Sequence, residues 1–125
     1  MNESQNQKYI VNRLRAKHFF VFSVPNEQKI KPSNGYAFIQ AQKSLGLVTG
    51  IPDLGVWNDP RVTLAPHIPQ FFFIEVKSKN GVLSHSQKEV HSTLAKLGCP
   101  VFVFKTTEEF EKHFFDEDDK DKKTK

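Results

Sequence analysis

Apolar positions along the chain change their period several times, and each change marks an element. Ile10, Val11 and Leu14 keep helical spacing inside a polar stretch, which predicts a helix over residues 4–17. FFVFSV, residues 19–24, is a short β-favouring run stopped by Pro25 and reads as a strand. Residues 25–35 hold Pro25, Pro32, Asn34 and Gly35, the chemistry of a loop. Ala37, Phe38, Ala41 and Leu45 then suggest a short helix over residues 36–45, ended by Gly46. A second strand is expected over residues 53–57, entered through Gly50-Ile51-Pro52. Pro60, Pro66 and Pro69 exclude a regular element from residues 58–69.

The second half is clearer. Phe71-Phe72-Phe73-Ile74-Glu75-Val76-Lys77 is the strongest strand signal, followed by a Ser78-Lys79-Asn80-Gly81 turn. Residues 84–97 form a helical pattern with Val90, Leu94 and Leu97 on one face and Gly98 just beyond. PVFVFK, residues 100–105, predicts a fourth strand. Thr106-Thr107-Glu108-Glu109 fits a capping box that opens a last helix carrying Phe110 and Phe114. The order α-β-α-β-β-α-β-α, with a βαβ unit over residues 71–105, predicts an α/β domain with a small mixed sheet and a right-handed crossover.

Composition narrows the class. The 125 residues suffice for one domain with its own core, expected over residues 1–115. Twelve of the aromatic residues are Phe, which lacks a polar handle and points to core building. Cys99 is the single cysteine, which excludes an internal disulfide framework and fits a reducing, cytoplasmic setting. No apolar run approaches the roughly 20 residues that span a bilayer, and the polar start MNESQNQ does not look like a secretory signal. The net charge of +4 is uneven: residues 1–52 carry 7 basic and 2 acidic side chains, whereas residues 101–125 carry 6 and 8. The last ten residues, 116–125, have no apolar member and read as a charged, disordered tail. A basic first half suits a polyanionic partner, a weak signal taken alone.

Strand alternation places Phe71, Phe73, Glu75 and Lys77 on one face and Phe72, Ile74 and Val76 on the other. Two charges at the end of an apolar strand need compensation. Asp53, opening the preceding strand, supplies a second carboxylate. Two carboxylates and a lysine could bind a hard divalent cation through oxygen and support metal-assisted phosphodiester hydrolysis. The same residues also admit a plain reading: a Glu75–Lys77 salt bridge at a strand end and Asp53 as a turn residue. The five histidines give no i, i+4 ligand pair and, with Cys99, no zinc set; they read as surface or core histidines.

Four short motifs in order, Gly50-Ile51-Pro52-Asp53-Leu54, Phe73-Ile74-Glu75-Val76-Lys77, Gly81-Val82-Leu83-Ser84-His85-Ser86-Gln87 and Leu97-Gly98, resemble the VRR-NUC family of the PD-(D/E)xK nuclease superfamily. The likeness covers roughly residues 3–110. It implies an αβββαβ restriction-endonuclease-like core, here with 36–45 as an extra helix. It also implies a Mg²⁺- or Mn²⁺-dependent, structure-specific DNA endonuclease acting on branched DNA or Holliday junctions as a homodimer. By resemblance, Asp53, Glu75 and the backbone carbonyl of Val76 hold the metal, Lys77 is the catalytic lysine, and Gln87 stands at the active site. Glu3 falls where the family has a further acidic residue, although its place at a helix N-terminus explains it equally well. Ser84-x-x-Gln87 is likewise a capping box in its own right. Asn26, Lys29, Lys31, Lys79 and Arg13 are the expected DNA contacts. The family often has a Gly after its Pro-Asn and a preceding His; Val24-Pro25-Asn26-Glu27 departs from that. Two rivals remain: a non-catalytic nucleic-acid-binding module on the same fold, and a nuclease of restriction type or with an RNA substrate.

Overall fold

The computed structural model describes residues 2–25, 35–59, 61 and 68–115. Its elements follow in the order α1 (Glu3–Ala16), β1 (Phe20–Ser23), α2 (Gly35–Ser44), β2 (Leu54–Trp57), β3 (Phe71–Val76), α3 (His85–Lys96), β4 (Val101–Phe104) and α4 (Thr107–Phe114). All eight match the expected types, with ends differing by one or two residues. Residues 26–34 of the loop expected at 25–35, and the whole tail at 116–125, lie outside the described residues.

The four strands form one mixed sheet in the order β1-β2-β3-β4. β1 and β2 are antiparallel with Phe22 opposite Gly55, and β2 and β3 are antiparallel with Leu54 opposite Ile74. β3 and β4 are parallel, with Glu75 opposite Val103, as the intervening α3 requires. The sheet therefore has two unequal faces.

The inner face carries Val21, Leu54, Val56, Phe72, Ile74, Val76 and Phe104. It is covered by Ile10 and Leu14 of α1 and by Phe110 and Phe114 of α4, all buried. Phe72, fully buried, lies 5.4 Å from Phe102 and 5.5 Å from Phe114 between ring centroids, so the Phe-rich composition is largely spent here. Each such side chain removed from water contributes about 1.5–3 kcal/mol before ordering costs. α1 is fixed at its start by a reciprocal capping box, in which the Asn2 side chain accepts from Gln5 N and the Gln5 side chain accepts from Asn2 N.

The outer face is covered on its β3–β4 side by α3. Over β1 and β2 it stays bare: Phe20 is 66% exposed and Trp57 47%. Phe22 lies across Gly55, where any Cβ would meet its ring at 2.2 Å. α2 has no buried residue, and its Tyr36 is 78% exposed.

Two expectations need correction. Leu97 does not share a packed face with Val90 and Leu94; it caps α3 and is exposed. Thr106 caps α4 by accepting from Glu109 N, but the Glu109 carboxylate reaches back to Lys105 N rather than to the cap residue, so the box is half formed.

Candidate active site

Asp53 stands just before β2, where its backbone and side chain tie three strands together. Its carbonyl accepts from Val24 N at 2.8 Å, extending the β1 ladder, and its Oδ2 accepts from Val76 N at 2.8 Å on β3. The turn that delivers it depends on Gly50, at φ +90°. A Cβ there would lie 2.6 Å from the carbonyl carbon and oxygen of Ser86, so the loop before β2 lies directly against the first turn of α3. A strand residue projects its N–H and C=O to the same edge. The Val76 carbonyl therefore lies on the same edge of β3 as the Asp53 carboxylate.

Glu75 and Lys77 are on the outer face, both buried, as strand alternation predicts. Burial is the main influence on Glu75. With a hydrogen bond to Asp53 and the negative charge of that residue, it pushes the Glu75 pKa up to about 9, while the nearby Lys77 charge pulls the other way. The negative charge of Glu3, exposed in the first turn of α1, is felt at Glu75 as well. Glu75 is therefore a neutral acid at pH 7, hydrogen-bonded to its carboxylate neighbour. Its Oε1 is a buried oxygen with no hydrogen-bond partner.

Gln87, the third residue of α3, is buried with its side-chain oxygen accepting from Ser84 N at 2.8 Å, while Gln87 N donates to Ser84 Oγ at 3.2 Å. The capping role anticipated for this pair is thus realised, and it holds the start of α3 beside Gly50 and the site. One turn further along the same helix, His91 brings Nε2 to 3.4 Å from Glu75 Oε1. Burial and the Lys77 charge lower its pKa, which keeps the imidazole neutral. Sequence reasoning left His91 among surface or core histidines. The available signal was its position four residues after Gln87, which puts both on one helix face.

The residues expected to touch DNA are spread differently. Lys79 is exposed in the turn after β3 and lines a cleft of about 190 Å³ with Asn6, Lys105, Thr106, Thr107 and Glu108. Arg13 is already engaged: its Nε donates to Glu111 Oε1 at 2.8 Å and its guanidinium lies 4.2 Å above the Phe115 ring, linking α1 to the end of α4. Asn26, Lys29 and Lys31 lie outside the described residues.

Among the described residues no group of three or more His, Cys, Asp or Glu side chains is arranged to hold a metal ion. A cation here would rest on two carboxylates, a backbone carbonyl and water. That donor set suits Mg²⁺ or Mn²⁺, which take oxygen ligands and retain water, and not a structural zinc. The unpartnered Glu75 Oε1 and the protonated state of Glu75 fit the same view, because two adjacent buried carboxylates ionise together only when a cation offsets them.

Comparison with known proteins agrees with this architecture. Two solved structures are similar in fold. One, described as a VRR_NUC domain, has a TM-score of 0.58 and 23% identity over 88% of this chain and 90% of its own. The other, described as a VRR_NUC domain protein, has a TM-score of 0.61 and 21% identity over 86% of this chain and 80% of its own. A comparison with curated proteins found no match. No helix among the described residues is long and apolar enough to cross a membrane. The family model described as the VRR-NUC domain matches residues 1–108, nearly the whole of the described fold, and the chain therefore belongs to the VRR-NUC domain family, a nuclease-type family.

Proposed function

We propose that the protein is a Mg²⁺- or Mn²⁺-dependent, structure-specific DNA endonuclease that hydrolyses phosphodiester bonds at branched DNA, including Holliday junctions. The observation that carries this reading is the buried Asp53–Glu75 pair with Lys77 two residues along the same strand. Asp53, Glu75 and the Val76 carbonyl would hold the ion, and Glu3, whose charge reaches Glu75, would add a ligand through water. The ion supplies Lewis acidity and offsets charge on the scissile phosphate. Lys77 positions the attacking water and stabilises the negative charge that develops on the phosphate oxygens. Gln87 fixes the helix start that borders the site. Lys79 and neighbouring Lys105 offer cations for the flanking phosphate backbone.

A symmetric junction cut on two strands needs two active sites, and one chain carries one. The bare outer face suits a second copy. Phe20, Phe22 and Trp57 stay exposed on it. At about 150–250 Å² per whole aromatic side chain, they leave on the order of 300 Å² of apolar surface uncovered, the size of patch that marks an interaction site. We propose a homodimer formed through this face.

Cleavage of a panel of four-way, flapped and plain duplex DNAs, with Mg²⁺ or Mn²⁺, tests the reading. Wild type is expected to cut branched substrates. Lys77→Ala is expected to lose cleavage by more than about a hundredfold, as removal of one group stabilising developing charge costs, while still binding DNA. Asp53→Ala is expected to lose both metal binding and activity. Wild type that binds DNA but cuts none of the panel would leave a binding module on a nuclease fold. Cleavage confined to plain duplex or RNA would name a different substrate.

A further inference from the structure

Two buried polar atoms without hydrogen-bond partners face one another beside the proposed metal site: Glu75 Oε1 and His91 Nε2, 3.4 Å apart. A buried donor or acceptor left unmade carries its full desolvation cost, and two side by side in a well-packed region need a reason. The Glu75 carboxyl also lies beside the Asp53 carboxylate, whose charge it feels. Oε1 is the oxygen turned to His91 on α3. A neutral imidazole carrying its proton on Nε2 offers a donor to Oε1 and to nothing else in reach. At 3.4 Å the two atoms lie just within reach of such a bond, and a small side-chain movement closes it. A donor held on Oε1 leaves the other carboxyl oxygen, Oε2, free to act as a ligand.

We propose that His91 is a positioning residue for metal binding: it donates from Nε2 to Glu75 Oε1 and thereby presents Oε2 to the cation. This rests on Asp53 and Glu75 being the metal ligands proposed above. Hydrogen-bond partners of metal-ligating carboxylates fix ligand orientation, and losing one costs about 10–100-fold in metal affinity. His91 is well placed for this, because Gln87 one turn earlier anchors the helix start and Gly50 lets the Asp53 loop lie against that same turn.

Mn²⁺ titration without DNA, followed by electron paramagnetic resonance, gives the readout, with circular dichroism confirming the fold. His91→Leu keeps bulk and removes the donor; His91→Gln returns an N–H donor at similar reach. His91→Phe serves as a second filled, donor-free variant should leucine unfold the protein. The expected result is Mn²⁺ binding weakened by about 10–100-fold in the leucine or phenylalanine variant, and recovered to within about threefold of wild type by glutamine. Donor-free variants that bind Mn²⁺ as tightly as wild type would overturn the proposal, as would glutamine and leucine variants weakened equally. Wild type that binds no Mn²⁺ would overturn the metal-dependent reading and this inference with it.

Discussion

At neutral pH Glu75 holds a proton, which a metal bound as proposed would displace. Its pKa is raised from 4.5 to about 9, so the folded protein keeps this proton across a range in which the unfolded chain has lost it. The sign follows: the folded state binds more protons between those two values, and stability falls as pH rises from about 4.5 towards 9. Metal binding reverses the preference, because a cation favours the ionised pair. We expect Mn²⁺ affinity to rise by up to about tenfold per pH unit across this window as one proton is released. Thermal melts with and without Mn²⁺ check it: the metal-induced gain in melting temperature should be larger at pH 8.5 than at pH 6. An affinity flat with pH would show that Glu75 is already ionised in the metal-free protein.

Among the elements, β3 was legible in full because two rules coincide there. Alternation assigned its faces, and the lone charges at its end marked the chemistry. The junction between α3 and the Asp53 loop was only half legible. Ser84-x-x-Gln87 announced the cap, but the close approach of Gly50 to Ser86 is a tertiary contact with no local signature beyond a glycine before Ile-Pro. His91 was missed for the same reason: a single histidine on a helix acquires meaning only when β3 is placed beneath it. The bare β1–β2 face was hidden too, since Phe20 and Trp57 carry the pattern of core residues and their exposure depends on sheet order. The Gly50 contact makes a prediction. Gly50→Ala places a Cβ 2.6 Å from Ser86 in a left-handed conformation that costs an L-residue about 1–2 kcal/mol before the clash. It should lower the melting temperature and, by displacing Asp53, weaken Mn²⁺ binding as well. A melting shift with unchanged metal affinity would detach the loop from the site.

For the whole molecule, charge and shape divide the labour. The basic excess before Asp53 suits a polyanion, and under the proposed mechanism the carboxylates at the site would accept phosphate only together with a cation. The outer face, aromatic where it is bare, would meet a like surface in the proposed dimer. Trp57→Glu puts charge where a second copy would pack without touching the inner core, since Trp57 is half exposed. The expected result, by light scattering after size-exclusion chromatography, is a shift from dimer to monomer with the sheet intact. Wild type that is monomeric at high concentration would remove the dimer from the proposal.

The lack of any buried residue in α2 has a kinetic consequence. A ten-residue helix does not hold its own hydrogen bonds in water, because nucleation outweighs so short a propagation. In the proposed dimer its order would come from whatever covers Tyr36 and Leu45. Amide hydrogens of α2 should therefore exchange with solvent quickly in dilute solution and slowly in concentrated solution, while those of β3 stay slow in both. Protein concentration becomes a folding variable for one helix of this chain, and deuterium uptake over a dilution series would read out assembly from within the backbone.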